Sequence, residues 1–297
     1  MARSKTHLTK KEIRLLLTVV FVIISLVSAY LSNQKNDTVK VSSDVSGTVT
    51  VLDIGQGDSI LLSSGGRYAL IDAATSGYAD TLCNKIRKSG SRSLDVMLLT
   101  HNHDDHVGGA EMVADRFSIY NLILPNLTNT ESKTRIINAA KSEVLASDGE
   151  CYTAKQGMFF NIGDIKLTVL SCYTEFNNEN DRSVITMADI GGVRFLLTGD
   201  AESPNEKRMI AEGIDLDCDV LKAGHHGSGG ACSTAFLKEC TPRFAAISCG
   251  TNNQYNHPHD DAIKRLKNIG AKIYRTDKQG DITFTVRDGK LSVDTEK

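Results

Sequence analysis

The 297 residues contain no tryptophan, 4 prolines and only 6% aromatic residues, so there is little from which to build a stacking platform for unpaired bases. The 7 cysteines (Cys83, Cys151, Cys172, Cys218, Cys232, Cys240 and Cys249) include no C-x-x-C pair. That spacing excludes a zinc ribbon or a thioredoxin-like redox motif. They read instead as small apolar fillers of strands and helices. No cysteine stands near the N-terminal apolar run, so a lipoprotein anchor is not indicated. Excess positive charge is missing as well. Residues 1–46 carry 7 Lys/Arg against 3 Asp/Glu, which leaves 27 basic and 33 acidic residues, a net of −6, for residues 47–297. Bulk electrostatics therefore do not mark 47–297 as a nucleic-acid binder, although two divalent ions would offset about four of those charges.

The N-terminus has a different character. Arg3, Lys5, Lys10, Lys11 and Arg14 precede an uncharged, largely apolar run from residue 15 to residue 31. As a helix that run would reach roughly 25 Å, between the core of a signal peptide and a full membrane span. Val27-Ser28-Ala29 offers a cleavage site after Ala29. Residues 1–31 are read as a signal anchor or signal peptide and 32–46, polar and without aromatics, as a linker. Basic residues ahead of the apolar run keep the head cytoplasmic, so the expectation is a single-pass membrane protein with an extracytoplasmic domain at 47–297, or a secreted one.

The chemistry concentrates in Thr100-His101-Asn102-His103-Asp104-Asp105-His106-Val107-Gly108-Gly109, directly after an apolar run at 94–99. Imidazole and carboxylate are ligands for zinc, and carboxylate also for the harder manganese. His101 and His103, two apart on an extended backbone, point to one side. Asp105 and His106 are adjacent and point apart unless the chain turns. The pattern suggests two neighbouring metals rather than one closed site, against the blander reading of a polar turn rich in histidine. Of the 8 histidines, all but His7 fall in three clusters: 101/103/106, 225/226 and 257/259. Leu196-Leu197-Thr198-Gly199-Asp200 ends an apolar strand in a carboxylate that either bridges metals or caps the next helix. Ala223-Gly224-His225-His226-Gly227 repeats the pattern of strand, then histidine. Asn256-His257-Pro258-His259 precedes a helix, and there a histidine either orients substrate or starts the helix.

Hydrophobic periodicity supplies the frame. Strands are expected at 48–54, 58–62 and 67–72 as an antiparallel meander, then at 94–99 and 119–124, with helices at 78–88, 107–116 and 133–145. The helix at 107–116 would begin directly after His106. The second half repeats the style. Strands are expected at 166–170, 183–190, 193–197, 218–222, 243–248, 272–275, 282–286 and 291–293, with helices at 204–211, 233–239 and 261–268. Two β-rich halves that each close with helices fit an α/β protein of αββα sandwich type, with 47–297 as one domain.

The histidine loop, Thr198-Gly199-Asp200 and Gly224-His225-His226-Gly227-Ser228 together resemble the metallo-β-lactamase-fold hydrolases. Val51-Leu52-Asp53-Ile54-Gly55-Gln56-Gly57-Asp58-Ser59, Leu197-Thr198-Gly199-Asp200-Ala201-Glu202 and Tyr255-Asn256-His257-Pro258-His259 resemble, more narrowly, the C-terminal extracytoplasmic domain of the ComEC competence proteins. The resemblance covers 47–297, with the motifs in the family's order. ComEC proteins carry this domain on a large multi-span channel, which this chain has no room for. The resemblance implies that His101 and His103 hold one ion, Asp105 and His106 another, and that Asp200 bridges them. His226 is favoured to complete the second site, which leaves His225 and His257 facing substrate and Asp105 to receive the proton of the attacking water. The superfamily's usual third histidine of the first site is missing. Its place falls at Glu179-Asn180-Asp181-Arg182-Ser183, so Asp181, Asn180 or water replaces it, which tilts the choice toward manganese without excluding zinc. The implied activity is phosphodiester hydrolysis, with DNA as substrate and competence machinery as partner. Lys222, Arg182, Lys278 and Arg275 are the nearest candidates for phosphate contacts, and Tyr255 for stacking. The alternatives are a phosphodiesterase for small or cell-envelope substrates and a tethered, non-catalytic binding module.

Overall fold

A computed structural model describes residues 45–126 and 131–297, with the side chains of 131–133 left aside. The segments read as signal or anchor (1–31) and, up to residue 44, as linker lie outside the described residues. Among the described residues no helix is long and apolar enough to cross a membrane.

Strands whose residues are apolar at nearly every position must be covered on both faces. Arg67–Ile71 shows how: Ala69 and Ile71 enter one core while Leu70 enters another. The same division recurs in Val193–Leu197, where Phe195 and Leu197 point one way and Leu196 the other. Two sheets result. The first has 8 strands, in the order Lys290–Thr295, Ile282–Arg287, Ser46–Val51, Ile60–Ser64, Arg67–Ile71, Val96–Leu98, Asn121–Leu124 and Glu150–Thr153. The second has 7, in the order Lys272–Arg275, Phe244–Ile247, Val220–Lys222, Val193–Leu197, Ile185–Ile190, Ile165–Ser171 and Phe159–Ile162. Their inner faces meet across one core, in which Leu62, Ile71 and Leu98 of the first sheet join Leu167, Phe195 and Val220 of the second. Helices Ala79–Lys88, Ala110–Arg116 and Glu131–Ala146 cover the first sheet, and Ser203–Ala211, Thr234–Cys240 and Asp260–Asn268 cover the second. The architecture is the expected αββα sandwich, a mixed α/β fold.

Each sheet pairs an antiparallel part with a parallel part. The opening meander is antiparallel, and Arg67–Ile71, Val96–Leu98 and Asn121–Leu124 then run parallel. In the second sheet the hairpin at Gly191-Gly192 is antiparallel, and Val193–Leu197, Val220–Lys222 and Phe244–Ile247 run parallel. Parallel neighbours place their C-terminal ends at one edge, where α/β sheets expose their ligand sites.

Two strands escaped the sequence reading, Glu150–Thr153 and Phe159–Ile162, each the outermost of its sheet. An edge strand with solvent on one side carries little apolar alternation to detect. The helix expected at 107–116 is also corrected. A turn of helix already spans Asp104–Val107, and a second helix follows at Ala110–Arg116. Asp105 and His106 therefore lie inside a helical turn that His103 precedes, not ahead of one.

Candidate metal centre

The donor groups at 101, 200 and 225/226 each follow a strand that ends at that shared edge. Val96–Leu98 runs into His101, Val193–Leu197 into Asp200, and Val220–Lys222 into His225 and His226. The helical turn at Asp104–Val107 swings Asp105 and His106 back beside His101. Gly57 makes this approach possible: at φ +136°, a Cβ there would lie 2.4 Å from the Asp105 carbonyl. His225 (φ 44°) and His226 (φ 52°) both take left-handed backbone, which non-glycine residues rarely adopt and which costs of order 1–3 kcal/mol each. The tight turn sends the two rings to different neighbours.

Two donor groups share Asp200. Asp105, His106, Asp200 and His226 form one and His101, His103 and Asp200 the other, the donor atoms of each within 4.8 Å of one another. Asp200 and His106 are 1% and 0% exposed. The imidazoles suit a metal because each has its outer nitrogen occupied. His106 Nδ1 lies 2.7 Å from Asp72 Oδ2, His226 Nδ1 lies 3.1 Å from the Ser248 carbonyl, and His101 Nδ1 lies 3.1 Å from Thr100 Oγ1. His103 Nε2 sits 3.2 Å from Glu179 Oε2. Such partners fix the tautomer and turn the remaining lone pair inward.

The inward nitrogens then meet other acceptors. His106 Nε2 faces Asp200 Oδ1 at 3.1 Å, and His101 Nε2 faces His103 Nδ1 at 3.1 Å. His226 Nε2 lies 3.2 Å from Asp105 Oδ2 and 3.6 Å from Asp200 Oδ1. His106 Nε2 and Asp200 Oδ1 are both buried without a hydrogen-bond partner, an arrangement of lone pairs that calls for a cation between them. The residues present fit a metal, and the cluster is able to bind metal ions.

Electrostatics agree. Burial disfavours charge on His106, yet Asp200 and Asp72 outweigh it and raise the imidazole well above its ordinary value. The same field that binds a proton there would bind a divalent ion. His101 is driven the other way, by burial and by the neighbouring His106, and keeps a free lone pair. Burial opposes charge on Asp200 too, but His106 and His226 hold it well below the usual carboxylate range. Behind His226, Asp58 is fully buried with Lys222, whose Nζ donates to Asp58 Oδ2 at 2.8 Å.

His225 stands beside this set. Its Nδ1 lies 2.8 Å from Glu202 Oε1, and its Nε2 is 3.7 Å from Asp200 Oδ2. His257 lines the same cleft, its ring 5.2 Å from that of His225 and stacked under the exposed ring of Tyr255. Burial and then His225 push His257 down to about 4, so it is neutral. His259 is the N-cap of the helix Asp260–Asn268, as the helix-starting reading expects, with no capping bond from its side chain. Its Nδ1 accepts from the Gly229 N–H at 2.9 Å and so braces the histidine turn. The cleft, about 340 Å³, is lined by Gln56, His103, Asp105, Asn180 and Tyr255 among others, with no lysine or arginine among the described lining residues.

Three sequence expectations are corrected. Lys222 is 1% exposed and paired with Asp58, so it cannot reach a phosphate. Arg275 Nη2 pairs with Asp277 at 2.6 Å. Asp181 accepts from the N–H groups of Glu202 (3.1 Å) and Asn205 (3.4 Å) and does not line the cleft. Asp58, Asp72, Glu179, Glu202 and Ser248 were missed as supports. Asp72 had one signal, a carboxylate directly after an apolar strand, as at Asp200.

Residues 52–153 match the model of the metallo-β-lactamase superfamily and so form a metallo-β-lactamase domain. That superfamily typically comprises metal-dependent hydrolases. Among its relatives are ComE operon protein 3 of Bacillus subtilis strain 168 (30% identical over 269 residues) and the competence protein ComA of Neisseria gonorrhoeae (31% over 238 residues). These matches cover 83% and 80% of this chain but 34% and 32% of the relatives, so the chain spans about a third of their length. In structure it is similar to the metallo-β-lactamase-fold protein YhfI of Bacillus subtilis (TM-score 0.56, 13% identity, 82% of this chain, 100% of that one). It is also similar to CmlA, a diiron β-hydroxylase from Streptomyces venezuelae (TM-score 0.55, 14% identity, 81% of this chain, 54% of that one). At such identities the likeness establishes the fold alone.

Proposed function

We propose that this chain is an extracytoplasmic phosphodiesterase that holds two divalent ions, zinc or manganese, and acts on DNA. The observation that carries the reading is the convergence of four braced imidazoles on the buried Asp200 at the floor of an open cleft. His101, His103 and Asp200 would hold one ion, and Asp105, His106, His226 and Asp200 the other. Two such ions supply Lewis acidity, lowering the pKa of a water and neutralising charge on phosphoryl oxygens. The chain's own groups do the rest. His225, whose Nδ1 lies 2.8 Å from Glu202 Oε1, lines the cleft beside Asp200, where its ring can contact a phosphoryl oxygen. Asp105, partly open to the cleft, takes the proton released. Neutral His257 and the exposed Tyr255 shape the rim against which substrate lies. The competence-protein relatives support DNA as the substrate and competence machinery as a partner, and the basic, apolar N-terminus supports attachment to the membrane.

The absence of lysine and arginine from the described lining favours a second reading, a small or cell-envelope phosphodiester, because DNA binding normally draws on several cationic phosphate contacts. One assay separates them. Full-length protein supplied with Mn²⁺ or Zn²⁺ is expected to degrade linear DNA, and Asp105→Ala to lose at least 100-fold. Cleavage of bis-p-nitrophenyl phosphate without cleavage of DNA would transfer the assignment to a small diester. Metal content near zero with neither activity would overturn both and leave a tethered binding module.

A further inference from the structure

The two donor groups around Asp200 are unequal. One brings four protein side chains together and the other, His101, His103 and Asp200, only three. A divalent ion held by three protein donors needs at least one further ligand. The nearby 3-10 turn Asn180–Arg182 and the residue before it supply oxygen-bearing side chains, and the structure separates these by what each already does. Asp181 Oδ1 accepts from the backbone N–H groups of Glu202 and Asn205, at the start of the helix Ser203–Ala211, and the residue does not line the cleft. Glu179 meets the outer nitrogen of His103, where it orients the ring instead of joining it as a ligand. Asn180 differs from both. It lines the cleft beside His103 and Asp200 and is 8% exposed. Its Nδ2 lies 3.4 Å from His225 Nδ1, while its Oδ1 is buried with no hydrogen-bond partner. A buried carbonyl oxygen left unpaired in a polar cleft is costly, and coordination of a cation would remove that cost.

Building on the two-ion reading above, we propose that Asn180 Oδ1 is the remaining protein ligand of the ion held by His101, His103 and Asp200. The substitution of a neutral amide oxygen for an imidazole has consequences. This group then contains two nitrogens, one neutral oxygen and one carboxylate that it must share. The other group contains two nitrogens, the shared carboxylate and a second carboxylate of its own. The ions are therefore held with different strengths, the one beside Asp105 and His106 more tightly. The harder oxygen also shifts the weaker position toward manganese over zinc.

Calorimetric titration of the chelator-stripped, full-length protein with Mn²⁺ tests this without reference to activity. Wild type is expected to take up two ions in two resolved steps. Asn180→Ala should weaken the second step by on the order of tenfold or more and leave the first unchanged. Asn180→Asp, which keeps the oxygen and adds charge, should tighten that second step, and the spin-coupled signal of a manganese pair should appear at lower metal. Asn180→His should reverse the preference at that position to zinc. Wild-type constants for both steps in a folded Asn180→Ala protein would overturn the assignment and leave the two-ion reading intact. If that variant does not fold, an unchanged second step in Asn180→Asp overturns it equally. Failure of wild type to bind manganese or zinc would instead overturn the two-ion reading and this inference with it.

Discussion

At the scale of single residues, the buried pair Asp58–Lys222 behind His226 carries the sharpest stability prediction. Burial would raise Asp58, but Lys222 and then His226 hold it well below the ordinary 3.8. A depressed carboxylate contributes stability that is complete above its unfolded value and is lost as pH falls through its folded one. Removing one partner of a buried pair strands the other charge. Lys222→Met should therefore cost about 3–5 kcal/mol near neutral pH, read from urea unfolding midpoints. The gap to wild type should narrow as pH falls through the acid range, because Asp58 takes up a proton in the variant where Lys222 still keeps it ionised in wild type. A gap under about 1 kcal/mol, or one that does not change with pH, would count against the pair as described.

Sequence and structure also part company at this scale. The donors His101, His103, Asp105, His106, Asp200 and His226 were legible because ligand chemistry gathers them into short stretches at strand ends. Their supports were not, because Asp72 meets His106 across 34 residues and Ser248 meets His226 across 22, and only the sheets bring them together. Lys222 misled for the same reason. Nothing local distinguishes a lysine at the end of a strand that faces solvent from one that faces a buried aspartate.

Among elements, the loop from Ser46–Val51 to Ile60–Ser64 does more than turn the chain. Through Gly57 it packs against the helical turn Asp104–Val107, and the Asp58 N–H donates to the Asp105 carbonyl at 3.0 Å. Gly57→Ala should push Asp105 away and lower affinity at the Asp105/His106 position by about tenfold or more. Gly66→Ala is the comparison: it too has positive φ (+76°), but its Cβ would meet nothing within 4 Å. Equal losses of metal affinity in the two variants would mean that backbone strain, not the approach to Asp105, sets the geometry. Edge strands show the limit of pattern reading at this scale. Phe159–Ile162 alternates between exposed and covered positions, but its exposed Phe159 breaks the apolar–polar alternation that would mark it in the sequence.

For the whole molecule, bound ions should appear as stability. At metal concentrations 100–1,000 times Kd, a ligand bound only by the folded state adds about 3–4 kcal/mol. For a chain of this size that corresponds to a rise in Tm of about 5–15 °C. Scanning calorimetry with and without chelator should show this difference, and identical midpoints would argue that the centre does not hold metal. The αββα frame itself was readable, since both halves repeat a style of buried strand and covering helix. The pairing of strands into two sheets was not, because periodicity assigns a residue to a face without naming its neighbour.

The division of the donors between the two sheets has a further consequence. His101, His103, Asp105 and His106 hang from the first sheet, while Asp200 and His226 hang from the second, and what joins them is the apolar core that includes Leu98, Leu197 and Val220. Neither half alone can present a finished coordination sphere. A bound ion would thus act as a coincidence detector for folding, silent until both sheets have formed and come into register. Ion uptake followed during refolding would time-stamp that single event.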